Sequence, residues 1–309
     1  MQTTQEKPSR LLHASLQGGE ARVLLCDITA MAQEARDIHG ASAVCTAAMG
    51  RMIAAAAIMG AQVKGEQESV TLTLRGGGPA GALVAVARPG VVKVTLEHPS
   101  CTLPLTAASK LDVGGALGRE GRLSVVRDFG HGEPYIGQVA LVSGEVAEDV
   151  AMYYTASEQI PSLCALGVLV GAEQVLGAGG LLVQAMPGCS EALLDALELR
   201  SQLFTGLSAT LAEQSLEEVL AQSFAGLSPE VLEEIPLRLA CDCGRRRVER
   251  ALLSLGAQEL QQMIDEQDGA EVNCHFCRKR YTFTADELRA LQAEGRGDPA
   301  ADGQGEVRP

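Results

Sequence analysis

Tryptophan is absent from this 309-residue sequence, and aromatic residues together make up only 3% of it. Any core must then be built from Val, Leu, Ile and Ala, which argues against stacked-aromatic platforms for single-stranded nucleic acid. Positive charge is scarce as well. Lys and Arg number 25 against 39 Asp and Glu, a net of −14. That balance argues against binding phosphate backbones over the whole surface, while leaving a local basic patch open. Long hydrophobic runs are also missing. The opening MQTTQEKPSR is polar and no apolar h-region follows, so no export signal is expected. The most apolar stretch, residues 52–63, is too short to cross a bilayer and reads as a packed helix, so no membrane partner is expected.

What is present suggests a folded chain of about two domains, on a loose prior of roughly 150 residues each. Residues 22–28 read as a first strand and 30–59 as helical, with an Ala-rich segment whose small side chains permit packing on all sides. Alternating strands are predicted at 69–74, 83–87, 91–97, 122–126 and 138–142. Ser143 is placed as the N-cap of a helix carrying Val146, Val150 and Tyr154, and two closing strands, 168–170 and 181–185, are read around GAGG. Strands with helices grouped around them give an α+β class, with a strand-rich core domain over residues 1–188.

Composition shifts after Pro187-Gly188. Residues 189–238 hold nine acidic and two basic residues, a net of −7 and half of the chain's excess charge. Leucines at helical spacing, a capping box at Ser215-x-x-Glu218 and an N-cap at Ser228-Pro229 predict a linker of short amphipathic helices, marginal on their own in water. A third segment, 239–290, carries paired cysteines, and residues 291–309, rich in Gly, Pro and Asp, are expected to be a disordered tail.

The strongest chemical signal is Cys241-Asp-Cys243, then thirty residues, then Cys274-His-Phe-Cys277. Two close thiolate pairs suit a closed tetrahedral zinc site. Gly244 follows the first pair, where a turn of positive φ is expected. Arg245, Arg246 and Arg247 after one pair, and Arg278, Lys279 and Arg280 after the other, would stabilise a tetrathiolate of charge −2. A structural knuckle is the plain reading. Against it, zinc ribbons usually carry C-x-x-C at both ends, and a disulfide across a C-x-C pair is of the strained, reducible kind. Four thiolates beside six cations also suit attack on an oxidant. His275 is expected to be a surface residue and His13, His39, His98 and His131 to be non-catalytic. Cys26, Cys45, Cys101, Cys164 and Cys189 read as small buried hydrophobes. Gly76-Gly-Gly78-Pro-Ala-Gly81 matches G-x-G-x-x-G, but a strand follows where a dinucleotide site needs a helix; it reads as a hairpin turn. Gly114-Gly-Ala-Leu-Gly118 lacks the Lys-Ser/Thr of a phosphate loop, so no nucleotide is expected.

From about Arg22 to Leu288 the sequence resembles the redox-regulated chaperones of the heat shock protein 33 family. The resemblance is carried by Met49-Gly-Arg51, Met59-Gly-Ala61, Lys64-Gly65-Glu66, Leu111-Asp-Val-Gly-Gly115 and Pro134-Tyr135-x-Gly137-Gln138-Val139. Leu141-Val-Ser-Gly-Glu145, Glu148-Asp149, Ser157-Glu-Gln159-x-Pro161 and the C-x-C and C-x-x-C pairs complete it. The extra core cysteines, the Gly/Pro-rich tail and His98-Pro99-Ser100-Cys101 depart from the family pattern. The resemblance implies a cytoplasmic, ATP-independent holdase, not an enzyme, inactive when reduced and zinc-bound. It implies Cys241, Cys243, Cys274 and Cys277 as ligands of one Zn2+ per chain, pairing as Cys241–Cys243 and Cys274–Cys277 on oxidation. Partners would be unfolding client proteins and, when oxidised, a second copy as a homodimer, with no nucleic acid. Two rivals are a constitutive zinc-finger nucleic-acid-binding protein, supported by the six cations, and a thiol oxidoreductase using Cys274 and Cys277.

Overall fold

The computed structural model describes residues 7–65 and 67–295. Glu66 and the stretch 296–309 of the expected tail lie outside the described residues. Two compact units divide between Ala240 and Cys241.

The first unit begins with β1 (Arg10–Leu16) and β2 (Ala21–Asp27), followed by helices α1 (Thr29–His39) and α2 (Ala43–Gly60). Strands β3 (Ser69–Arg75), β4 (Leu83–Arg88) and β5 (Val91–Leu96) lead to the short helix α3 (Val113–Leu117). Then come β6 (Arg122–Asp128), β7 (Tyr135–Ala140), α4 (Ala147–Ala156), β8 (Ser162–Val170) and β9 (Val175–Ala185). The acidic segment supplies α5 (Glu191–Arg200), α6 (Leu207–Glu213), α7 (Leu216–Ser223), β10 (Glu230–Pro236) and β11 (Arg238–Leu239). The fold is α+β, as the sequence predicts. One sheet runs β10-β1-β2-β9-β8 and the other β11-β5-β4-β3-β6-β7. Every pairing is antiparallel except β11 on β5.

Helix α2 packs against strands of both sheets and is buried nearly all round. Its 18 residues exceed the predicted 52–63 stretch, and by length and composition alone it could cross a membrane. Here its Ala, Met and Ile side chains form the central layer of one core with Leu72, Leu83, Val94 and Val125. An Ala-rich helix lets two sheets close on it from opposite sides.

The central strands β1, β2 and β9 of the first sheet are buried on both faces. Leu24 and Cys26 of β2 face α2, whereas Val23 and Leu25 join a second core with Leu12, Leu16, Leu181 and Val183. The second core is closed by Leu193, Leu197, Leu207, Leu211, Leu220 and Phe224 of the acidic segment. The linker helices therefore have a packing surface of their own, the outer face of this sheet.

Several local expectations are corrected. The segment after Ser228-Pro229 is no helix: β10 adds to the edge of β1, with His13 opposite Glu233 and Arg10 opposite Pro236. An unpaired strand edge offers more backbone hydrogen bonds than a short isolated helix can make. GAGG does not stand outside the closing strands but lies inside β9, where a Cβ on Gly177 would stand 2.2 Å from the Ser208 carbonyl oxygen and one on Gly179 2.1 Å from that of Cys26. Glycine there admits close backbone approach. Ser143 is not the N-cap of α4. The fully buried Asp149 carboxylate accepts from the backbone N–H of Val142 at 2.7 Å and of Val146 at 3.1 Å, so the helix starts at Ala147. The capping box at Ser215 and Glu218 is present as expected.

The second unit holds α8 (Arg245–Leu253), α9 (Ala257–Gln267), the hairpin β12 (Gly269–Asn273) and β13 (Arg280–Thr284), and α10 (Ala285–Gly295). Residues 291–295, expected in the disordered tail, are helical: Leu288 and Leu291 are buried with Leu260, Ile264, Tyr281 and Phe283.

Candidate metal centre

Two backbone devices bring the four cysteines together. Cys241 and Cys243 sit on the extended approach to α8, and Gly244 is the N-cap of that helix. Gly244 has an extended φ of −156°, not the positive value expected, because the helix begins at once and needs no turn. Its carbonyl accepts from the N–H of Arg247 at 2.9 Å and of Val248 at 3.1 Å. Cys274 and Cys277 form the turn of the β12–β13 hairpin. The Cys274 N–H donates to the Lys279 carbonyl and the Arg278 N–H to the Cys274 carbonyl, both at 2.9 Å. Arg278 takes a φ of +58° to close that turn.

The four sulfurs lie within 4.8 Å of one another. Cys241 Sγ is 3.6 Å from Cys274 Sγ, and Cys243 Sγ is 3.3 Å from Cys277 Sγ. A tetrahedron with metal–sulfur bonds of ~2.3 Å has edges of about 3.8 Å, so the spacing suits four ligands around one ion. All four are half-buried, and Cys243 and Cys274 rest against the small apolar core of their unit. Among the described residues no other cluster of three or more His, Cys, Asp or Glu has this geometry. The donor set can hold a metal ion.

The thiols do not titrate alike. Burial pushes Cys241 up to about 12 against a backbone hydrogen bond that opposes it. Burial also works to raise Cys243, but hydrogen bonds from the Tyr281 hydroxyl and the neighbouring thiols bring it down to about 7. Tyr281 Oη donates to Cys243 Sγ at 3.2 Å, and that bond heads the causes raising the phenol to about 12. One thiolate forms readily in the cluster; Cys241 and Cys277 are held above the ordinary thiol value, mainly by burial, so gathering them as anions calls for a cation among them.

Tyr281 was not singled out from the sequence. Its one signal is position, four residues past Cys277 and pointing inward on β13. The basic residues were noted, and the structure pairs most of them within the unit. Arg245 binds Glu287 at 2.6 Å, reaches Glu249 at 3.4 Å and lies 4.3 Å from the centre of the Phe283 ring. Arg247 pairs with Asp242, Arg280 with Glu271 at 3.3 Å, and Lys279 lies 5.5 Å from the Tyr281 ring centre. His275 is exposed and stands outside the four-thiol group.

The remaining cysteines lie in the first unit. Cys26 and Cys45 are buried, as read from the sequence; Cys101, Cys164 and Cys189 are only partly so. Burial raises the Cys26 and Cys45 thiols and pushes Cys164 up to about 12. The glycine-rich turn 76–81 joins β3 to β4 as a hairpin and hydrogen-bonds to α3, with Gly78 N–H donating to the Leu117 carbonyl at 3.0 Å.

Comparison with known proteins accords with this geometry. The family model described as Hsp33 protein matches residues 9–284. A 33 kDa chaperonin from Clostridium perfringens (strain SM101 / Type A) is 42% identical over 289 residues, covering 92% of each chain. One from Clostridium botulinum (strain Eklund 17B / Type B) is 40% identical over 285 residues, covering 91% of this chain and 97% of its own. The crystal structure of the 33 kDa chaperonin (heat shock protein 33 homolog) from Thermotoga maritima superposes with a TM-score of 0.88 at 33% identity. It covers 94% of this chain and 100% of its own.

Proposed function

The chain belongs to the Hsp33 family, and from that premise we propose that it is a cytoplasmic, ATP-independent holdase switched on by oxidation of its four-thiol centre. The observation that carries the reading is the convergence of Cys241, Cys243, Cys274 and Cys277 within 4.8 Å of one another, in a unit with little other core.

In the reduced state the four thiolates hold one Zn2+ per chain. Bound there, zinc supplies folding energy, about 10–16 kcal/mol of apparent affinity in small zinc modules. Tyr281 steadies the Cys243 thiolate, and Arg245 and Arg247 hold α8 to Glu287 and Asp242. An oxidant of the peroxide class takes two electrons from each thiol pair. The pairs close as Cys241–Cys243 and Cys274–Cys277, the metal's donor set is consumed, and the unit is left with a core too small to fold alone.

The chain immediately before Cys241 is the least firmly held part of the linker. β11 is two residues long, and β10 is an edge strand with Val231 and Leu232 exposed. As these detach, α5–α7 lift from the first sheet and bare Leu12, Leu16, Val23, Leu25, Leu181 and Val183. That apolar face takes hold of unfolding clients, with the acidic linker keeping the complex soluble. A second oxidised copy would pair through the same loosened elements. The nucleic-acid reading is less favoured because three of its six cations, Arg245, Arg247 and Arg280, are paired with carboxylates inside the unit.

The test is zinc content, free thiols and suppression of client aggregation, measured before and after hydrogen peroxide. Zinc release and activity should appear together as four thiols are lost. Activity in the fully reduced, zinc-loaded protein would overturn the reading, and so would turnover of a small disulfide substrate.

A further inference from the structure

Helix α2 starts against the loop that follows β5, and the contact brings two of the five scattered cysteines together. Ser42, the N-cap of α2, receives the Cys45 N–H on its hydroxyl at 3.3 Å and donates that hydroxyl to the Cys101 carbonyl. Its own N–H donates to the Pro99 carbonyl at 2.9 Å, and the Cys101 N–H turns back to the His98 carbonyl at 3.1 Å. The loop is thus tied to the start of the helix through both the backbone N–H and the hydroxyl of Ser42. Within that tie, the Cys45 thiol lies 3.4 Å from the Cys101 carbonyl oxygen and 3.6 Å from that of His98. Both cysteines are reduced.

We propose that Cys45 and Cys101 form a second peroxide-responsive dithiol site, in the first unit and independent of the four-thiol centre, which closes to an intrachain Cys45–Cys101 disulfide. A sulfur lying against its partner's own carbonyl is near enough for a disulfide, provided the side chains can turn to each other. The partner here is on a loop, so the adjustment falls on the more pliant element.

The two thiols differ in access, which assigns their roles. Cys45 is fully buried, and Cys101 is partly open to solvent. Burial keeps the Cys45 thiol above its ordinary value, and the adjacent Cys101 thiol adds to that. Cys101 is therefore the thiol that meets the oxidant. As thiolate it attacks one oxygen of hydrogen peroxide; the S–O bond forms, the O–O bond breaks and hydroxide leaves. Cys45 then attacks the Cys101 sulfenic sulfur. The S–S bond forms, the S–O bond breaks, and the departing hydroxyl takes the Cys45 proton as water. The two sulfurs give up two electrons in all, and the peroxide is reduced to water.

Cys26 and Cys164 are less suited to this chemistry: Cys26 is fully buried on β2, Cys164 on β8 is only partly buried, and burial holds both thiols above their ordinary value. The site therefore goes beyond the proposed switch, and the two can fail separately because each thiol is read individually.

The test uses the full-length, zinc-loaded chain treated with hydrogen peroxide. The reaction is stopped with acid, which halts thiol exchange, free thiols are alkylated in denaturant, and the chain is digested without reductant for mass spectrometry. A cross-linked peptide joining Cys45 and Cys101, lighter by two hydrogens and split by dithiothreitol, is the expected result. In Cys45→Ser, Cys101 should pass to sulfinic acid at peroxide doses that give the disulfide in the parent, since no resolving thiol remains. The proposal is overturned if Cys45 and Cys101 stay fully alkylatable after the four module thiols have been consumed. It is also overturned if the cross-link forms only in chain denatured before peroxide is added, or if Cys101 pairs with a different cysteine.

Discussion

Helices α5–α7 and helices α8–α10 are alike in being short and amphipathic, yet they are held by opposite means. The first set covers one face of a five-stranded sheet and buries Leu193, Leu207, Leu211, Leu220 and Phe224 against it. The second set surrounds a two-stranded hairpin and a core centred on Leu260, Ile264, Phe283 and Leu288, with four sulfurs beside it. A unit of this size rarely gains more than ~3–5 kcal/mol from its apolar core alone. The linker's stability is spread over many side chains, whereas on the proposed reading that of the module rests largely on one set of metal donors. Oxidation chemistry can act on the second kind and has nothing to attack in the first. Under the proposed switch, that difference would let a redox signal select which helices come loose.

The largest effect is expected from removing donors. A Cys241→Ser, Cys274→Ser chain should fall from one bound zinc to almost none, with protease cleavage rising within residues 241–295 and the two large sheets unchanged by circular dichroism. Full zinc content in that variant would break the comparison at its base.

Removing the module altogether comes next. A chain ending at Leu239 has nothing beyond β11 to hold the linker's end, and it should suppress aggregation of a heat-unfolded client under reducing conditions and bind an apolar dye. Because α5–α7 keep their own sheet, inertness of this chain would mean that the module contributes binding surface itself.

A smaller effect, on the linker side only, is expected from Phe224→Ala. Phe224 is fully buried and packs on Phe204 with ring centres 5.7 Å apart. Its loss should cost about 3–5 kcal/mol of linker packing, read as a lower dose of peroxide for activation with zinc content unaltered.

The smallest effect concerns Arg10, which binds Glu217 of α7 at 2.6 Å and Glu234 of β10 at 3.0 Å. The Arg10 hydrogen bond holds the Glu217 carboxyl below the usual carboxylate range. A depressed carboxylate stabilises the fold above its ordinary pKa, and the contribution is lost as pH falls through the folded value. Both acids are well exposed, so Arg10→Ala should cost no more than about 1 kcal/mol near neutral pH and less in acid or high salt. Denaturant melts at two pH values would show it.

The same contrast decides what could be read from the sequence. The module was legible because its chemistry is local: C-x-C and C-x-x-C name the ligand set without the fold. Strands β3, β4 and β5 were legible because one face is buried and the other is not, which writes an alternation into SVTLTL and VVKVTL. β1 escaped notice because both its faces are covered, so RLLHASL carries no period of two. β10 was misread because the edge it completes belongs to a strand more than two hundred residues earlier. The meeting of Cys45 and Cys101 is of the same kind, since it depends on where α2 docks and not on any spacing between them.

The most direct measurement follows one sample through a peroxide time course, recording free thiols, released zinc, proteolysis within residues 189–239 and client aggregation. The account predicts that loss of the four module thiols, zinc release, linker cleavage and holdase activity rise on a single time course while the two sheets stay protected. Full oxidation of those four thiols with the linker still protected and no activity gained would contradict it.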